Sequence, residues 1–202
     1  MLHIKSVNGE LLELLNHLMD EEKLKDFNLV GGTALALQIG HRVSVDIDLF
    51  GQAEFEEIDI LDILAKFGDN KLIKKSNNII ISSLNGIKVD IVNYRYNWIG
   101  RTQIIQGVRF ASFEDIAAMK LNAIAGRGSV KDFIDLFFLL EKFTIPEMLE
   151  FYNKKYPDGS EFMVLKSLTF FDDADKEEMP ILFHDIKWQE IKLQILSAID
   201  KM

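Results

Sequence analysis

Phe27-Asn28-Leu29-Val30-Gly31-Gly32-Thr33-Ala34-Leu35-Ala36-Leu37-Gln38-Ile39-Gly40 is followed, after two residues, by Val43-Ser44-Val45-Asp46-Ile47-Asp48-Leu49-Phe50. The apolar run that stops at a glycine pair predicts a buried strand entering a turn. Thr33 is a candidate cap for a helix over 34–39, and Gly40 is the residue to end it. From Val43 to Phe50 the pattern alternates. It sets Val43, Val45, Ile47 and Leu49 on one strand face and Ser44, Asp46 and Asp48 on the other. Two carboxylates pointing the same way in so apolar a strand repel each other unless a cation or solvent compensates. Hard cations take oxygen ligands, so Asp46 and Asp48 are candidate magnesium ligands, the alternative being a solvent-facing strand with polar residues.

Two glycines let backbone approach a ligand, and the helix behind them offers unpaired amides and the positive end of its dipole. Gly31-Gly32-Thr33 is therefore a candidate cradle for a triphosphate, or else simply a tight turn. A third acid, Asp90, interrupts the apolar run Lys88-Val89-Asp90-Ile91-Val92. If that strand pairs beside Val43–Phe50, three carboxylates converge and two metals become feasible, with Asp90 the best-placed general base. Otherwise Asp90 makes a surface ion pair with Lys88.

Around this stretch, 7–24 predicts an amphipathic helix packing outside the core, and 54–67 a second helix. Lys71–Ser76, Asn78–Leu84 and Ile87–Tyr94 predict three strands, with Asn85-Gly86 a strong hairpin signal. After Ser112 the pattern turns helical, over 113–126, 130–142, 145–156, 160–169 and 188–201. The expected fold class is α+β. A small mixed-sheet core with flanking helices (1–110) is followed by a helical subdomain packed against it (111–202).

The chain has 202 residues, no cysteine and four histidines. Disulfides and thiolate chemistry are excluded, and no stretch approaches the roughly 20 apolar residues of a membrane span. The start, Met1-Leu2-His3-Ile4-Lys5, is unlike a secretory signal, so a cytoplasmic protein with no membrane partner is expected. The net charge of −9 argues against nucleic acid, yet residues 71–131 hold ten basic and three acidic side chains. That local +7 leaves −16 for the remainder and suggests an anionic ligand, or a solvated basic surface.

In the helical half, Lys120 lies inside the apolar run Ile116–Ile124, while Ser129 is placed to cap a helix on which Asp132 and Asp135 share a face. Lys120 could balance triphosphate charge, with Asp132 holding it or a ribose hydroxyl; equally, the pair could be an interhelical salt bridge linking the two halves. Arg42 is a candidate phosphate contact, and Ser44 shares the aspartate face. His41 reads as a turn residue. Asp172-Asp173-Ala174-Asp175-Lys176-Glu177-Glu178 lacks the glycine and spacing of a calcium loop and reads as exposed. The fifteen phenylalanines read as core.

Several motifs in order resemble the AbiEii/AbiGii toxin family of nucleotidyltransferases, within the DNA polymerase β-like superfamily. They are Gly31–Leu37, Gly40–Phe50, Lys88-Val89-Asp90, Asp115–Lys120, Gly126–Leu140 and Leu168–Ala174, covering about residues 27–185. The resemblance implies transfer of a nucleoside monophosphate from an NTP, with magnesium at Asp46 and Asp48 and functional weight on Lys120 and Asp132. It also implies a toxin of a toxin-antitoxin or abortive-infection system, with a cognate antitoxin. Some members modify the acceptor end of tRNA, and the basic middle segment, able to follow a phosphate backbone, makes RNA the expected acceptor. The expected catalytic residues are Asp46, Asp48, Asp90, Lys120 and Asp132, with Asp46, Asp48 and Asp90 on metal and Gly31, Gly32, Thr33, Arg42, Ser44 and Lys120 on nucleotide. Rival readings are transfer to a protein hydroxyl and a non-catalytic binding module.

Overall fold

The protein, a computed structural model, is described over residues 1–53 and 55–202. Its chain forms two compact units. The first comprises Met1–Gly40, Ser44–Asn97 and Arg101–Ala111; the second comprises His41–Val43, Trp98–Gly100 and Ser112–Met202. Two short segments that precede residue 110 thus belong to the helical unit.

The first unit is a seven-stranded mixed sheet with three helices. Its strands are β1 (Phe27–Leu29), β2 (Asp46–Gly51), β3 (Asn70–Ser76), β4 (Ile79–Leu84), β5 (Ile87–Asn93), β6 (Gln103–Ile105) and β7 (Val108–Phe110), in the order β3-β4-β5-β2-β1-β7-β6. β2 runs antiparallel to β1 and parallel to β5. The β4–β5 hairpin turns at Asn85-Gly86, both at positive φ, as a two-residue turn matching strand twist requires. Strands β6 and β7 escape the sequence reading. Their turn, Gln106-Gly107, repeats the paired positive φ with a less usual first residue.

Helix α1 (Gly9–Asp20) starts at Asn8, whose side chain accepts from the Leu11 amide. Contrary to the expected place outside the core, its stripe Leu11, Leu14, Leu15, Leu18 and Met19 is at most 6% exposed. Each such side chain contributes roughly 1.5–3 kcal/mol through burial. Arg109 in β7 then fixes the neighbouring carbonyls, donating to Met19 O at 2.8 Å and to Leu24 O and Phe27 O at 3.0 Å. A residue counted toward a basic binding segment is a structural clamp. Helix α3 (Glu57–Ala65) begins three residues after Glu54, the first residue of the expected helix, which lies outside the described residues.

The second unit holds α4 (Phe113–Gly126), α5 (Val130–Leu139), α6 (Ile145–Lys155), α7 (Glu161–Leu168) and α8 (Trp188–Ile199). Buried Asp115 organises the start of α4. It accepts from the Ile99 and Gly100 amides at 3.0 Å, from Ser112 Oγ at 2.7 Å and from Lys155 Nζ at 2.6 Å. Ser129 stands at the N-cap of α5 as expected, but its side chain makes no cap bond; its hydroxyl donates to Asp132 Oδ2, and the Val130 amide donates to Glu177 Oε2 at 3.0 Å. The acidic loop is thus anchored by ordinary bonds, Asp175 accepting from Trp188 and Lys192. Among the described residues no helix is long and apolar enough to cross a membrane.

Candidate active site

Helix α2 (Gly31–Ile39) begins three residues earlier than expected, at Gly31, so Thr33 sits in its first turn instead of capping it. Gly31 has φ +70, and a Cβ there would lie 2.4 Å from Asp48 Oδ2. The Asp48 carboxylate therefore packs against the first residue of α2, where helix amides and dipole favour negative charge. Thr33 is buried, with its hydroxyl against the Asp46 carbonyl and 2.9 Å from Ser44 Oγ. A hydroxyl has one proton; with Thr33 donating to the carbonyl, Ser44 donates to Thr33. Thr33 and Ser44 thus fasten α2 to the entry of β2.

β2 starts at Asp46, and Val45, assigned to the inward face, is 52% exposed ahead of it. Beyond that point the alternation holds: Ile47 and Leu49 are fully buried and Asp46 and Asp48 half-buried. In the parallel register Asp46 lies opposite Lys88 and Asp48 opposite Asp90. The three acids therefore share one face of two adjacent strands. Lys88 shares it too, its Nζ 2.5 Å from Asp90 Oδ1, so the ion pair and the convergence occur together.

The donor set fits magnesium in its oxygen chemistry and in the pairing of Asp46 with Asp48. It fits a three-acid cage less well. Among the described residues no three His, Cys, Asp or Glu are gathered into a set able to hold an ion, and one Asp90 oxygen is bound to lysine. These acids line neither the recess of about 1040 Å³ bordered by Lys25, Asp26, Glu56 and Asn93 nor that of about 580 Å³ beside His17 and Phe67.

Arg42, Lys120 and Asp132, expected at the nucleotide, belong to a buried charge cluster of the helical unit. Its centre is Asp135, fully buried. It accepts from Arg42 Nε at 2.7 Å and Nη2 at 2.9 Å and from His41 Nε2 at 2.7 Å, and it pairs with Lys120 Nζ at 2.6 Å. Asp132, also fully buried, takes Lys120 at 3.1 Å, Arg127 at 2.8 Å and Ser129 at 2.9 Å. Burial opposes ionisation of both acids, but the cations outweigh it: Lys120 and Arg127 hold Asp132 at about 2, and Arg42 and Lys120 hold Asp135 well below the usual carboxylate range. Lys120 is raised, its two aspartates overcoming burial. Lys120 and Asp132 do form an interhelical salt bridge, but it joins α4 to α5 within the helical unit.

His41 is no turn residue. It is fully buried against Phe138, with Nε2 on Asp135 and Nδ1 meeting no hydrogen-bond partner among the described residues. Burial lowers its pKa despite Asp135, so the ring is neutral and Nε2 carries the proton. The sequence offered little warning of His41 or of Asp135 as a hub, because both depend on α4, α5 and the 41–43 segment coming together. Lys88, by contrast, was readable from its two-residue offset to Asp90.

The architecture is that of the nucleotidyltransferases. A Helicobacter pylori protein described as a candidate nucleotidyltransferase shares it at TM-score 0.62 and 19% identity, covering 98% of this chain and 92% of that one. JHP933 from Helicobacter pylori does so at 0.62 and 20%, covering 95% and 88%. The antibiotic-resistance factor ANT(2'')-Ia matches at 0.54 and 15%, over 70% and 89%. More particularly, the chain belongs to the nucleotidyl transferase AbiEii toxin family of type IV toxin–antitoxin systems, whose model matches residues 13–201. It is also 34% identical over 197 residues to an uncharacterized protein of Aquifex aeolicus strain VF5, with 94% of each chain covered.

Proposed function

We propose that the protein is a magnesium-dependent nucleotidyltransferase that moves a nucleoside monophosphate from an NTP to an RNA hydroxyl, with the tRNA acceptor end as the favoured acceptor, acting as the toxin of a toxin–antitoxin pair. The observation that carries this is the placement of Asp46 and Asp48 on β2, beside Asp90 on β5 and against the Gly31 turn, in a chain of this family. Asp46 and Asp48 would hold the magnesium, which when bound supplies positive charge to the phosphates and the leaving group. Gly31-Gly32 presents the α2 amides to the triphosphate. The acceptor oxygen bonds to the α-phosphorus as the bond to the β-phosphate oxygen breaks. Pyrophosphate leaves, and the hydroxyl proton passes to Asp90 Oδ2, the oxygen not held by Lys88. Exposed Lys74 and Arg101 of the sheet unit supply cations toward an RNA backbone. Arg42, Lys120 and Asp132 hold the helical unit together through the buried cluster.

Incubation with each labelled NTP, magnesium and total tRNA tests the reading. One NTP is expected to label RNA, and Asp48→Asn to lower labelling by about 10²-fold or more. Undiminished labelling by that variant overturns the site. Label on polypeptide alone replaces the RNA acceptor with a protein hydroxyl, and nucleotide binding with no transfer leaves a binding module.

A further inference from the structure

We infer that Lys88 is a built-in cation of the carboxylate face, taking the place beside Asp90 that a second divalent ion would otherwise occupy, so that the nucleotide-free protein binds a single ion at Asp46 and Asp48. This rests on the proposed role of those two acids. The register sets four charged side chains on one face of β2 and β5, Asp46 opposite Lys88 and Asp48 opposite Asp90. The Lys88 ammonium touches Asp90 Oδ1 at 2.5 Å, and the Asp90 side chain is only 16% exposed, so the contact is partly sheltered from water. The strand on the other side of β5 brings no replacement acid, since β4 places Ser83 opposite Lys88 and Ile81 opposite Asp90. A second ion beside Asp90 would have to displace a lysine already at contact distance with that carboxylate. Without Lys88, Asp90 would be open to a divalent ion. The lysine thus orients Asp90 without metal. Any further divalent ion enters with the triphosphate, which brings its own negative charge.

The test counts ions directly, by calorimetry and electron paramagnetic resonance with Mn²⁺, on the full chain without nucleotide. Wild type and Lys88→Arg are expected to bind one Mn²⁺ per chain. Lys88→Met and Lys88→Gln are expected to bind two, or to bind the first at least tenfold tighter. Lys88 lies on a partly exposed face, and circular dichroism of both neutral variants verifies the fold; the Arg variant carries the comparison independently. Two ions on the wild type, or one ion of unchanged affinity on both neutral variants, overturns the inference. Asp48→Asn separates it from the function proposed above. Loss of the single Mn²⁺ supports the carboxylate site whatever Lys88 does, whereas unchanged Mn²⁺ binding by this variant overturns that site and the inference with it.

Discussion

The sheet unit and the helical unit each gather aspartates with lysine, and they do opposite things with them. On β2 and β5 three carboxylates meet one ammonium on a partly open face. In the helical unit two fully buried aspartates meet Lys120, Arg42 and Arg127, with neutral His41 as a further donor. The first leaves its aspartates half-buried along the shared face of two adjacent strands. The second closes its two carboxylates in among three cations. An aspartate's meaning therefore lies in its local charge balance, more than in its presence within a motif.

The most severe way to break this contrast is Asp135→Ala. It leaves Arg42, Lys120 and His41 buried around a missing acceptor, a situation that costs about 3–5 kcal/mol. Both tryptophans, Trp98 and Trp188, belong to the helical unit, so urea unfolding followed by tryptophan fluorescence reports that unit. The midpoint is expected to fall sharply. A loss below about 1 kcal/mol would show that the cluster does not hold the unit together.

How much of this was legible beforehand follows the same division. Period-two alternation in residues 46–50 and 87–92 fixes side-chain direction locally, so the shared face of Asp46 and Asp48 and the polar place of Asp90 could be read without a structure. The neighbouring strand was conditional, because pairing between segments some forty residues apart leaves no local trace. The helical unit's role for its charges was less legible still. Helix periodicity marked Asp132 and Asp135 as neighbours, but nothing in Gly40-His41-Arg42 announces that the two residues after a helix cap will be buried on Asp135. Thr33 misled for a related reason: its identity suits a cap, but the tertiary bond to the Asp46 carbonyl used its hydroxyl first. The short strands β6 and β7 escaped because three residues are too few to display a period.

Acid sharpens the contrast with a smaller effect. Asp132 titrates at about 2 when folded against an ordinary 3.8, so its contribution is complete above 3.8 and disappears as the pH falls through 2. The shift corresponds to about 2 kcal/mol for this buried group. His41 acts in the same direction at higher pH. Its folded pKa lies below 6.5, so the unfolded chain takes up the proton first, and stability declines as the pH drops below 6.5. Tryptophan-detected urea midpoints are expected to fall from pH 7 to pH 3, with Asp132→Asn making the decline below pH 4 shallower and Asp135, also held below the usual carboxylate range, supplying the remainder. An unaltered slope in that variant would place the acid sensitivity elsewhere.

The gentlest intervention acts on the open face through backbone alone. Gly31 sits at φ +70, where a side chain costs about 1–2 kcal/mol, and an alanine Cβ would fall 2.4 Å from Asp48 Oδ2. The contacted atom is the end of a side chain, so the conflict can be relieved by rotating the carboxylate, and that rotation moves a proposed metal ligand. Gly31→Ala is therefore expected to lower stability by about 1–2 kcal/mol while weakening Mn²⁺ binding about tenfold. The same substitution at Gly126, the last residue of α4, meets no atom within 4 Å and is expected to leave Mn²⁺ binding unchanged. If Gly31→Ala also leaves Mn²⁺ affinity unchanged, the glycine serves only the turn into α2 and the Asp48 carboxylate is not positioned by it. If the affinity falls as expected, the open face owes its geometry to a backbone that admits no side chain at Gly31, just as the buried cluster owes its own to Asp135.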